Sequence, residues 1–151
     1  MRLAFDTSVL VAALVEPHPF HQRALPWIEA LETGKAAGTC TCHALAETWS
    51  VLTRLPLEPS ISPPMATVAM ERLAQKLEVV DIGVDLYWNA IQRCTATGVR
   101  SGALFDALHL VVAEATDADF FVTFNAADFR RLAVDASPEI RVPPDPPLYP
   151  F

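Results

Sequence analysis

No apolar run in this sequence is long enough to cross a bilayer, which excludes a chain that spans a membrane on helices. The N-terminus carries a single arginine and no hydrophobic stretch with a small-residue cleavage site, so no signal peptide is expected and the expected location is the cytoplasm. Cysteines are few. Cys40, Cys42 and Cys94 cannot all pair, and a chain with a sizeable core needs no disulfide frame, so free thiols are expected. The cluster Cys40-Thr41-Cys42-His43 is too tightly spaced for a zinc site, and no second ligand pair follows it. Charge is also scarce, at 19% of residues, and positive charge is scarcer, leaving a net charge of −7. That balance excludes a protein that grips nucleic acid by bulk attraction. It does not exclude a nuclease that gathers acids around metal ions and keeps a few arginines for phosphate. No basic stripe and no cluster of aromatics for stacking RNA bases is visible along the chain. Internal repeats and linkers are missing too, which leaves one domain for 151 residues.

What the chain has in excess is hydrophobicity, 52% of residues, and this suggests apolar surface covered by a partner or a second copy. Short apolar runs alternate with amphipathic stretches, the pattern of βαβ units on a mostly parallel sheet. The first run, Arg2-Leu3-Ala4-Phe5, reads as a central strand stopping on Asp6, with Thr7 and Ser8 as caps for a helix Val9 to Val15. Helices are expected over His18 to Glu32, Cys42 to Leu55, Pro63 to Leu77, Asp85 to Thr97 and Ser101 to Ala115. Gly98 stops the penultimate one. Further strands are expected around Thr39-Cys40, over Leu77 to Ile82 and Ala118 to Thr123, and at an edge near Ile140, with a short helix from Ala126 to Leu132. The globular domain is expected to span 1–142, followed by a proline-rich extended tail, 143–151.

Three acids carry the functional argument. Asp6 ends a core strand, where open α/β sheets place their ligands. Asp106 lies in Leu104-Phe105-Asp106-Ala107-Leu108-His109-Leu110, a helix apolar nearly all round and hence expected to be buried. A buried carboxylate needs a cation, either an arginine such as Arg93 or Arg100 or a bound metal. Gly102 and Ala103 on the same face leave room for a ligand. Glu47 shares a polar stripe with His43, Ser50 and Arg54, opposite Leu45, Trp49 and Leu52, and such a stripe is often only a solvated face. Asn125 stands just past a strand end, like Asp6, and is either a site residue or a turn and cap residue. Asp128 is either a further acid or an ordinary charge in the first turn of a helix.

The succession Phe5-Asp6-Thr7-Ser8, Ala46-Glu47-Thr48, Leu52-Thr53-Arg54-Leu55-Pro56, Phe105-Asp106-Ala107-Leu108-His109 and Val122-Thr123-Phe124-Asn125 resembles a PIN domain. In particular it resembles the toxin ribonucleases of the VapBC toxin–antitoxin type, from Arg2 to about Leu132, and His21 with Ala24 fits a pattern common in that group. The resemblance implies a three-layer α/β/α fold that binds Mg2+, or Mn2+, and hydrolyses RNA. Asp6, Glu47 and Asp106 match the three acids of the pocket, with Asp6 and Asp106 as the rigid metal ligands. Many members have an aspartate where this chain has Asn125. The implied partners are a small antitoxin and a second copy of the chain. A weakened PIN-like binding module and a structure-selective DNA nuclease are the alternative functions.

Overall fold

The computed structural model describes residues 1–145, so the tail expected over 143–151 lies mostly outside the described residues. Five strands, β1 (Arg2–Phe5), β2 (Ala37–Thr41), β3 (Glu78–Val80), β4 (Phe120–Val122) and β5 (Glu139–Arg141), form one sheet in the order β3-β2-β1-β4-β5. All neighbours are parallel. The chain runs outward from β1 to one edge and then returns across it to the other, so β1 is the strand at which the order reverses. Ligands of open α/β sheets sit at the carboxyl ends of strands at such a point, and Asp6 is the residue that follows β1.

Among the described residues seven helices cover the two faces: α1 (Thr7–Leu14), α2 (His21–Glu32), α3 (Cys42–Leu52), α4 (Pro63–Ala74), α5 (Val84–Thr97), α6 (Ala103–Ala115) and α7 (Ala126–Leu132). The alternation of side chains along each strand divides the core. Leu3, Phe5, Cys40 and Val122 point to one side and pack with Val9, Leu10, Ala24 and Trp27 of α1 and α2. Ala4 and Phe121 point to the other, against Leu108, Val111, Phe129 and Leu132 of α6 and α7. The Phe121 and Phe129 rings meet at 4.5 Å between centroids, and truncating Phe121 to alanine would cost about 3–5 kcal/mol. A smaller cluster around Val11, Leu52, Ala66 and Met70 joins α1, α3 and α4.

Several expected boundaries shift for local reasons. The first helix begins at Thr7, with Asp6 as its cap residue, and neither Thr7 nor Ser8 caps it: both hydroxyls are turned to acids instead. The second begins at His21 rather than His18, and the third and fourth stop at Leu52 and Ala74. Strand β3 is shorter than Leu77 to Ile82, and β4 is shorter than Ala118 to Thr123. Helix α6 begins at Ala103 because Ser101 takes a left-handed conformation, φ 57°. Gly98 does end α5, in the left-handed region at φ 71° that an L side chain resists. Gly38 is required by space: a Cβ there would meet side-chain carbons of Leu31 and Leu77 at 2.7 Å. On α3 the buried face is Ala44, Thr48 and Leu52, while Trp49 is exposed, so the expected Leu45–Trp49–Leu52 stripe does not face the core as a unit.

Candidate active site

Asp6 leaves β1 in extended conformation and keeps the ladder going through its own amide, which donates to Val122 O at 3.1 Å. Its carboxylate is buried, and Oδ2 accepts the hydroxyls of Ser8 (2.6 Å) and Thr123 (2.8 Å). Hydrogen bonds to an ionised acceptor are among the stronger ones a fold can make. They fix one carboxylate oxygen and leave Oδ1 for the cavity. Ser8 and Thr123 are held in turn, Ser8 by the Phe124 amide (3.1 Å) and Thr123 by the Asn125 amide (2.9 Å).

Glu47, half-buried on α3, is held on three sides. Its Oε2 accepts the Thr7 hydroxyl (2.8 Å) and His109 Nε2 (2.9 Å), while Oε1 faces His43 Nε2 at 3.5 Å. His109 was not singled out among the site residues read from sequence, and it is the anchor of this arrangement. It is 3% exposed on α6, and Nδ1 lies 2.9 Å from Thr41 Oγ1, which accepts the Ala44 amide as the cap of α3. A carboxylate cannot donate, so Nε2 carries the hydrogen; in the neutral ring Nδ1 then accepts from Thr41. The chain of bonds Ala44–Thr41–His109–Glu47 ties the start of α3 to α6. The His109 hydrogen bond, with that of Thr7, holds the Glu47 carboxyl below the usual range against the opposing effect of burial. A histidine three residues after an aspartate in an otherwise apolar helix was the available signal, since that spacing puts both on one face.

Asp106 stands in the first turn of α6. Among the described residues no ion pair reaches it. Arg93, one of the two arginines offered as an alternative to a metal, is bound to Glu114 by two contacts of 2.7 and 2.8 Å, and Arg100 forms no ion pair with an acid among the described residues. Burial above all, then the charge of Asp6 and lesser repulsion from Asp128 and Glu47, pushes the Asp106 carboxyl up to about 6, partly offset by His109.

One cavity of about 410 Å³ gathers these groups: Asp6, Glu47, Asp106, His109 and Asn125 all line it. Asn125 stands at the cap position of α7, where its carbonyl accepts the Asp128 amide but its side chain makes no capping hydrogen bond. Asp128 lines an adjacent cleft, with Asp106, Arg100 and Arg131, rather than the cavity itself. Glu47 is thus not on a purely solvated face: Oε2 is bonded to Thr7 and His109, and Oε1 lies toward His43. The cysteines are all free, and burial above all pushes the Cys40 thiol up to about 12.

No group of three His, Cys, Asp or Glu among the described residues is placed to hold a metal by itself. Magnesium keeps several waters and is bound through one or two carboxylates plus substrate phosphate. Asp6 with a free Oδ1 and Asp106 with no cation partner are oxygen donors of that kind.

The chain matches the PIN domain family over residues 3–135. It is 37% identical over 107 residues to Ribonuclease VapC27 of Mycobacterium tuberculosis, covering 70% of this chain and 72% of that protein. Two solved structures share the fold at a TM-score of 0.68. One is VapBC2 from Rickettsia felis bound to a DNA fragment from its promoter (19% identity, 94% and 98% of the two chains). The other is M. tuberculosis VapC20, a toxin that cleaves the sarcin-ricin loop (21% identity, 90% and 99%). With the family spanning most of its length and a ribonuclease relative this similar over two thirds of both chains, the protein belongs to the PIN-domain family, among the VapC-type ribonuclease toxins.

Proposed function

We propose that the cavity at the end of β1 is the active site of a metal-dependent endoribonuclease, with the nuclease domain spanning residues 1–142. The observation that carries this is the convergence of Asp6, Glu47 and Asp106 on one cavity with no cation on Asp106. Asp6 and Asp106 would hold Mg2+ or Mn2+. When bound, the ion supplies Lewis acidity, lowering the pKa of the attacking water and drawing off charge that develops on the phosphate. Glu47 has its Oε2 saturated by Thr7 and His109, so Oε1 is the oxygen available to orient a water. Asn125 offers an uncharged amide where another carboxylate would add repulsion, so it positions water or substrate and does not bind the ion. The ribose-phosphate backbone enters from solvent, since the acids lie at the mouth of the sheet rather than under it.

The partner on this reading is a small antitoxin protein. Related chains were crystallised as VapBC and FitAB assemblies. A homodimer would cover further apolar surface, and the working compartment is the cytoplasm. No helix among the described residues is long and apolar enough to cross a membrane. The test is digestion of total cellular RNA by antitoxin-free protein with Mg2+, Mn2+ or EDTA. Discrete fragments that require metal and vanish in Asp6→Asn support the reading. Equal patterns from folded wild type and variant would favour a binding module that has lost catalysis, and cleavage of branched DNA alone would favour the DNA nuclease.

A further inference from the structure

The sequence shows no aromatic cluster, but folding makes one at the rim of the acidic cavity. Phe20 precedes α2 and Phe124 follows β4. Their rings stack with centroids 4.6 Å apart at 25°. Arg23, on the first turn of α2, sets its guanidinium 5.0 Å from the Phe20 ring centre and 5.3 Å from that of Phe124. The guanidinium is held there by the Pro143 carbonyl at 2.9 and 2.6 Å and by Asp145 at 3.4 Å. Both rings line the same cavity as Asp6, Glu47 and Asp106, yet Phe20 stays 39% exposed. The part of the ring left open is apolar surface in contact with water beside the carboxylates.

We propose that Phe20, backed by Phe124 and Arg23, is a stacking platform for an unpaired RNA base next to the phosphate that is cut. The inference rests on the ribonuclease reading of the cavity. A nucleobase matches the chemistry of the rim: a flat π face for the ring, and polar edges for the donors around it. His18 supplies one such donor. Its Nδ1 accepts the Phe20 amide at 3.1 Å, so in the neutral ring Nε2 carries the hydrogen, and His18 lines the cavity too. Stacking is how proteins hold single-stranded RNA whose bases have been splayed out, and it tolerates sequence because every base has a π face. The platform compensates for what the acids lack, since a carboxylate pocket in a protein of net charge −7 repels RNA until metal is bound.

The test compares Phe20→Ala, Phe20→Leu and Phe20→Trp with wild type in cleaving single-stranded RNA, each variant first shown to be folded. Stacking on one base is worth roughly a 5- to 150-fold change in affinity, so Phe20→Ala should raise KM by about that factor, with the loss on KM rather than kcat. Phe20→Trp should restore KM, and Phe20→Leu should behave like Phe20→Ala. A single-stranded RNA carrying 2-aminopurine, held uncut by Asp6→Asn, should be quenched on binding, and Asp6→Asn combined with Phe20→Ala should lose the quenching. A Phe20→Ala KM equal to wild type, or full function in Phe20→Leu, would overturn the platform while leaving the nuclease standing. Weakened binding of a protein partner with unchanged RNA cleavage would overturn it as well, assigning the rim to that partner. Wild type that cuts no RNA would overturn the nuclease reading and the platform with it.

Discussion

Helix α6 carries two carboxylates two turns apart, and their surroundings are opposite. Glu114, near its end, receives the Arg93 guanidinium on both oxygens and the Ser137 hydroxyl at 2.5 Å, with both partners of the ion pair mostly buried. Asp106, in its first turn, receives no cation and instead faces Asp6, Glu47 and Asp128. One helix thus solves the same problem, an acid at a partly buried position, once with a structural partner and once without. The difference is that one acid is neutralised within the fold and the other is not. On the proposed reading, the place that an arginine takes beside Glu114 is left open beside Asp106 for a divalent ion.

Substitutions at the two ends should therefore have opposite signatures. The largest effect is expected from Asp106→Asn or Asp6→Asn, which should lower RNA cleavage by ~10³-fold or more through lost charge stabilisation, with circular dichroism unchanged. Next is Arg93→Met at the other end. It leaves Glu114 charged and largely enclosed, which should cost about 3 kcal/mol and lower Tm by about 6–12 °C, while cleavage per folded molecule persists. If Arg93→Met kills cleavage in folded protein, the two ends are not separate. His109→Ala should lower kcat about 10- to 100-fold by freeing Glu47, and His109→Gln, whose amide can still donate to Oε2, should recover most of it. Equal losses in both variants would make His109 a packing residue only.

The smallest effect is a pH dependence. An acid whose folded pKa lies above its unfolded one favours the native state when protonated. That contribution is complete below the unfolded value of 3.8 and is lost as pH rises through about 6. Metal-free wild type should therefore lose about 1 kcal/mol across that window relative to Asp106→Asn, less than the full shift implies because the carboxylate is partly solvated. Denaturant unfolding of both proteins with EDTA at a series of pH values measures it.

Much of this was legible in the sequence because the signals are local. The apolar run before Asp6, the apolar α6 and Gly98 each name their element without help from the rest of the chain. Helix α7 was read at its true bounds, and the parallel sheet follows from the alternation of strands and helices. What could not be read depends on pairs far apart in the chain. Thr7 looks like a cap locally, but its hydroxyl reaches across the fold to Glu47. Arg93 is nearer in sequence to Asp106 than to Glu114, and only the packing of α5 on α6 sends it to the latter. His109 is silent until β2 and α3 bring Thr41 and Glu47 to its two nitrogens. Phe20 and Phe124 form a rim only once the fold brings their rings together.

The most direct test of the claim that the unpaired acids await a divalent ion is thermal unfolding of wild type and Asp106→Asn, with EDTA and with Mn2+. The expected result is that the variant unfolds at a higher temperature than wild type without metal, by about 2–4 °C, and that Mn2+ raises the wild-type Tm but not the variant's. A variant that is less stable than wild type in EDTA, or that gains as much from Mn2+, would show that Asp106 supports the fold and not the ion.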